Sequence, residues 1–243
     1  MGGVLNFKRD ALKQISIDMN QTYFENLIEE LNTNIPNNYG IVAEAFENDY
    51  GWPEVDSVRS EVCKCLICGF YQAAITLTNH LLESVLKKAL IIDESAKNKT
   101  EQSDITNVFD DATEQYANKD LDYTINQACR KGLITKKDKK LLHIFRERYR
   151  NAYSHADPQK TFSGVSIPAT IFTTKDLDNP EEFFKRAFTD KPNVILSAEN
   201  NVIIQGLMQS SKAEDEAMDY FLTTDGMIRN LCSRLFDIER NRN

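Results

Sequence analysis

Long apolar runs are missing from this chain. The longest nearly uncharged one, Cys65 to Leu77, includes Gly69 and Gln72 and falls short of the ~20 apolar residues that a membrane-spanning helix needs. It reads as core, and no membrane partner is expected. The N-terminus, "MGGVLNFKRD", has no apolar signal segment, and Asn6 stands where a myristoylation motif places Ser or Thr. A cytoplasmic location is the expectation. There is no glycine-rich phosphate loop and no G-x-S-x-G elbow, which sets aside an NTPase and an α/β-hydrolase. Histidine is scarce: His80, His143 and His155 are scattered and make no metal constellation. Of the five cysteines, Cys63, Cys65 and Cys68 sit close together in "CKCLIC", while Cys129 and Cys232 stand alone. Zinc sites need a second paired set of ligands, and three thiols at this spacing on a helix do not share one face. They read as small buried thiols of a reducing compartment, and neither metal nor cofactor is expected.

A surplus of positive charge is missing too. The net charge of −8 argues against a protein that coats nucleic acid by bulk electrostatics. The distribution is uneven, however. Arg130 to Arg150 holds nine basic and two acidic residues, a local +7 that leaves −15 for the rest of the chain. An acidic body with one basic stripe draws a phosphate chain to one place; equally, such a stripe can be a solvated helix face.

What is present is apolar spacing of the helical kind. The 243 residues, 41% of them hydrophobic, suffice for a buried core, and the chain reads as one all-α domain over 1–243. A first helix is predicted over Thr22 to Leu31, with Phe24, Leu27, Ile28 and Leu31 on one side, ended by the turn-rich "TNIPNN". The unusually apolar stretch from Asp56 to Ile92 forms the heart of the core, with Gly69 a bend or break between two central helices. "DESAKNKTEQSD" reads as a surface connection. A shorter helix over Leu121 to Arg130 stops at Gly132. Thr135 with Asp138 marks the next helix start, and Leu141, Leu142, Phe145 and Tyr149 give that helix a buried face. Pro158 requires it to end near His155. Thr161 to Asn200 reads as an irregular insertion with a short hairpin and a helical patch at Pro180 to Phe188. A final helix over about Ala213 to Arg240, with Gly226 as an interruption, closes the bundle. The core is thus about 56–157 plus 213–240. His80 is expected to be a satisfied core residue.

The helix "FYQAAITLTNHLLESVLKKAL", followed after some forty residues by "LLHIFRERYRNAYSH", resembles the HEPN superfamily (higher eukaryotes and prokaryotes nucleotide-binding) over about Asp56 to Asp157. The signature of that family is an arginine, a polar residue directly after it, and a histidine four to six residues beyond the arginine; Arg150, Asn151 and His155 fill these places. Glu83 in "HLLESVL" matches a glutamate that many members carry in the preceding long helix. The resemblance implies a four-helix bundle that dimerises and brings two motifs into one composite cleft. It also implies a metal-independent endoribonuclease, in a toxin or anti-phage role with an antitoxin or defence-complex partner. Other members have lost activity and serve as binding or scaffolding modules. Asp157 departs from the toxin members whose tyrosine at that place is nucleotidylated.

On a straight α-helix five positions turn ~140°, so Arg150 and His155 share a face only if the helix stops between them, or if two copies meet. Metal-free RNA cleavage needs a base for the 2′-hydroxyl, charge stabilisation at the phosphorane and a proton for the leaving 5′-oxygen. Histidine serves either proton transfer, and arginine holds two phosphate oxygens through its planar fork. The expected roles are therefore proton transfer for His155, phosphate binding for Arg150 and an orienting hydrogen bond for Asn151. Glu83 either fixes the Arg150 guanidinium or is an ordinary ion-paired acid. Arg146, one turn before Arg150, is a second phosphate contact. Lys139, Lys140 and His143 are further RNA contacts on the same helix, although His143 reads more readily as a plain surface position. Tyr153 either stacks on a base or packs. Two readings follow: a ribonuclease that cleaves to 2′,3′-cyclic phosphate ends, and a non-catalytic helical module that binds RNA or an acidic partner.

Overall fold

A computed structural model describes the backbone of residues 2–98, 105–151, 153, 161–162, 164–170, 186, 189, 191–192 and 194–240, and side chains from residue 21 onward within these ranges except 98, 105–107, 200, 202–203, 206–207 and 237–240. Seven α-helices form among these residues: α1 (Gly2–Glu47), α2 (Pro53–Ile67), α3 (Tyr71–Asn98), α4 (Ile105–Tyr116), α5 (Leu121–Arg130), α6 (Lys136–Phe145) and α7 (Val202–Arg240). A π-helical segment, Arg146–Asn151, continues α6, and the strands β1 (Ser166–Ala169) and β2 (Val194–Ser197) pair antiparallel. The protein is an all-α bundle, and no helix among the described residues is long and apolar enough to cross a membrane.

The bundle is built around α3. Ala74, Ile75, Leu81, Leu82, Val85, Leu86, Ala89 and Leu90 recur at helical spacing and are buried, and α2, α4, α5, α7 and the π segment all pack on this helix. Each such leucine contributes about 1.5–3 kcal/mol on burial. This spacing also explains where His80 lies. Asn79 and Leu81 take the buried positions, and His80 is left exposed rather than in the core as the apolar context suggested. The helix also outlasts its apolar pattern. It runs to Asn98, because Asp93 is buried in ion pairs with Lys97 (2.5 Å) and Lys131 (3.1 Å), where the sequence read as a connection.

The N-terminal helix is far longer than the predicted Thr22 to Leu31. Pro36 lies inside it at an exposed position, where water can take up the Asn32 carbonyl that loses its partner. The asparagines that looked like turn formers serve a different helix. Asn38 Nδ2 donates to the Leu66 carbonyl and to the Tyr71 hydroxyl, both at 3.0 Å, and Asn34 Nδ2 donates to the Cys68 carbonyl at 3.4 Å. They satisfy carbonyls left over at the end of α2.

Gly69 makes the break between α2 and α3, with a φ of +82°. A Cβ there would lie 2.2 Å from Asn34 Nδ2. Gly69→Ala is expected to cost about 2 kcal/mol or more, since the left-handed backbone alone costs ~1–2 kcal/mol for an L residue. Thermal unfolding should fall by ~4–8 °C.

The last helix begins at Val202 rather than near Ala213, with Asn201 Oδ1 accepting from the Ile204 amide at 3.2 Å. Gly226 does not interrupt it; the position is exposed and the helix runs through at a modest propensity cost. The strand pair sits over a small apolar cluster of its own, Phe162, Ala198 and Ile204. Most of the predicted helical patch at 180–188 lies outside the described residues.

The thiols are packed rather than gathered. Cys63 and Cys232 are buried, and burial pushes their titration up to about 12 and about 11. Both folded values lie above the ordinary thiol value, so the associated stability is whole below about pH 9 and is lost as pH rises through 11 and 12. Under reducing conditions the urea midpoint should be lower at pH 10.5 than at pH 8, and Cys63→Ala should shrink that difference.

Candidate functional site

The basic stripe is held in place from three sides. Its start is fixed by a capping box: Thr135 Oγ1 accepts from the Asp138 amide (3.0 Å), and Asp138 accepts from the Thr135 amide (2.9 Å). Its floor is the predicted apolar face, with Leu142, Phe145 and Tyr149 buried. Tyr149 stacks on Tyr220 of α7 at 4.0 Å, and Phe145 meets the same ring edge-on at 5.0 Å. The Tyr220 hydroxyl then donates to Asn79 Oδ1 of α3 at 2.7 Å. One buried tyrosine thus ties the stripe to both central helices.

After Phe145 the helix widens instead of stopping. Arg146–Asn151 is π-helical, with i→i+5 bonding, so residues five apart come into line within it. Arg150 and Asn151 occupy its last turn, and both are half-buried. His155 lies outside the described residues.

Carboxylates organise the guanidinium groups. Arg146 Nη1 pairs with Asp122 of α5 at 3.0 Å and Nη2 with Glu147 at 2.8 Å. Glu147 in turn accepts from Asn151 Nδ2 at 3.0 Å. His143 Nδ1 lies 3.5 Å from the same Asp122 carboxylate. Glu216 of α7, only 6% exposed, accepts from Arg148 Nη2 at 2.7 Å and from Lys212 Nζ at 2.9 Å. Its hydrogen bond to Arg148 is the main reason that this guanidinium holds its proton even more firmly than usual. Tyr153 is half-buried against the core, and burial first, the Glu216 charge second, raise its hydroxyl well above the ordinary tyrosine range.

The proposed residues therefore fall into groups. Arg146, Arg150, Asn151 and Tyr153 share the π segment or its exit, while Lys139 and Lys140 lie on α6, the first half-buried and the second exposed. Glu83 lies on α3, which packs against the π segment, and accepts from Lys87 Nζ at 2.9 Å. Sequence reasoning passed over Glu216, Arg148 and Asp122. Arg148 was visible in the basic run, but the acids reach it or Arg146 only through tertiary packing.

Six buried side-chain polar atoms lack a well-aligned hydrogen bond among the described residues; three belong to residues named here, Arg146 Nε against α5 and, close to each other on the α7 side, Tyr153 Oη and Glu216 Oε2. Comparison with protein-family models, with curated proteins and with solved structures finds no match to this chain.

Proposed function

We propose that the protein is a metal-independent endoribonuclease whose site is the π-helical end of the basic helix, with RNA as its substrate. The observation that carries this reading is the coincidence of three features at one place. A π-helical turn, a geometry that recurs at functional sites, carries Arg146, Arg148 and Arg150 in one run. Arg150 and Asn151, the first two residues of the stretch "RNAYSH" that resembles the HEPN motif, close this same turn. Arg150 holds the scissile phosphate, His155 transfers the proton, and Asn151, whose amide donates to Glu147, orients one of the two by hydrogen bonding. Glu83, which accepts from Lys87 Nζ at 2.9 Å, fixes the Arg150 guanidinium in this reading, a role taken from the resemblance. A second copy completes the cleft, and a toxin or defence role with a neutralising partner follows from the resemblance alone.

A second reading has its own support. Arg146 and Arg148 are already paired with carboxylates, as in a module whose basic helix is neutralised internally. The test is cleavage of a mixed cellular RNA pool in excess EDTA by the wild-type chain and by His155→Ala. Cleavage by the wild type alone supports the enzyme. Equal cleavage by both places the activity elsewhere, and a lack of cleavage by either favours the binding module.

A further inference from the structure

Three carboxylates meet the arginines of the π turn, and they differ in burial. The side chains of Asp122 and Glu147 are 42% and 54% exposed, whereas Glu216 of α7 is almost wholly buried. A carboxylate taken out of water needs partners in fixed places. Its Oε1 has two, Arg148 Nη2 from the π turn at 2.7 Å and Lys212 Nζ from its own helix at 2.9 Å. Its other oxygen, Oε2, is shielded from water and lies close to the equally shielded Tyr153 hydroxyl.

Arg148 and Tyr153 stand five positions apart. On a straight α-helix five positions turn ~140°, so two such side chains point apart and do not reach one group. A widened turn brings them into line. Here the chain between them is widened as far as Asn151, and both side chains approach the same carboxylate. Arg150 lies on the stretch of backbone that these two contacts span. The Tyr149–Tyr220 stack, at 4.0 Å, fastens the same turn to α7 at one residue. A single contact of that kind does not set the pitch of the chain, whereas two contacts five residues apart do.

We propose that Glu216 is the positioning residue of this turn: by taking Arg148 and Tyr153 together it holds Arg146–Asn151 in π geometry, and so fixes where Arg150 stands. The consequence for cleavage rests on the ribonuclease reading, while the hold on the turn does not.

The test has two arms. Amide hydrogen exchange, followed residue by residue by NMR on the full chain, reads the turn without RNA. Glu216→Ala should speed exchange of the 146–151 amides about tenfold or more, while residues 81–90 of α3 and 221–235 of α7 keep wild-type rates. Glu216→Gln keeps the side-chain length and an oxygen for Arg148, and should recover most of the protection. Tyr153→Phe should loosen the same amides but add nothing in the Glu216→Ala background, where its hydroxyl has already lost the acceptor. If Glu216→Ala does not fold, Tyr153→Phe and Arg148→Gln carry the same exchange test. Single-turnover cleavage reads the consequence: the maximal rate of Glu216→Ala should fall by up to ~10²-fold, with the half-saturating RNA concentration within about twofold of wild type. Unchanged exchange over 146–151 would overturn the proposal. So would a rise shared equally by α3 and α7, which would make Glu216 a general support of the bundle, or a loss that lies wholly in RNA binding. A wild-type chain that cleaves no RNA would remove the ribonuclease reading, and the exchange arm then decides the hold of Glu216 by itself.

Discussion

Arg150→Ala is expected to slow single-turnover RNA cleavage by ~10²–10⁴-fold while leaving the fold intact, the scale on which one charge-stabilising or proton-transferring group acts. The size follows from chemistry that no neighbour replaces. Arg146 is held by Asp122 and Glu147, and Arg148 by Glu216, so neither swings freely into the place of Arg150. Arg150 is itself half-buried on a turn anchored by the Tyr149–Tyr220 stack, and the alanine variant is expected to keep that stack. Arg150→Lys should recover only part of the rate, because an ammonium lacks the planar fork that grips two phosphate oxygens. The check is a rate measured with enzyme in excess over a labelled RNA, beside a thermal melt that coincides with wild type. Full activity in the alanine variant would remove Arg150 from the site.

The largest loss of stability is expected from Asp225→Ala, about 2–4 kcal/mol by urea denaturation. Asp225 lies on α7, almost wholly buried, and accepts from the Tyr50 hydroxyl at 2.5 Å and from Arg229 Nε at 2.7 Å. The Tyr50 ring lies under two guanidinium groups, those of Arg59 at 5.3 Å and Arg229 at 5.2 Å. Arg59 is buried as well, donating to the Ala45 carbonyl and pairing with Asp56 at 3.2 Å. Truncating Asp225 strands a buried phenol and unbalances these cations at the junction of α1, α2 and α7. Tyr50→Phe removes only the hydroxyl and should cost less, about 1–2 kcal/mol. In the double variant, the two losses should fall short of their sum, since each removes the same hydrogen bond.

Much of the bundle was legible because local chemistry and tertiary need agree there. Thr135 and Asp138 cap a helix on their own terms, Gly69 and Gly132 take positive φ where the chain must turn, and the Leu142, Phe145 and Tyr149 spacing needs only one buried side. Where the chain's partner is distant in sequence, the reading failed. Asn34 and Asn38 look like turn residues until the carbonyls at the end of α2 are placed beside them. His80 lies in an apolar run, but it follows the exposed Gln72 and Thr76 at intervals of four, a phase that spacing carries and composition does not. The stretch before Ala213 does carry apolar spacing in Ile203, Ile204, Leu207 and Met208, but Gly206 and the polar run Gln209 to Lys212 separate it from the later pattern, so the true start of α7 was missed. Of the proposed site, Arg150 and Asn151 were named from their motif, whereas Glu216 depends on the approach of α7, and the widening to π geometry has no signal in residue type.

The most direct measurement is the chemistry of the cleaved ends. RNA incubated in EDTA with the wild-type chain should carry 2′,3′-cyclic phosphates, the product of 2′-hydroxyl attack, and these ends should vanish with His155→Ala. Products that end in 3′-hydroxyls, or cyclic phosphates that persist in His155→Ala, would contradict the account.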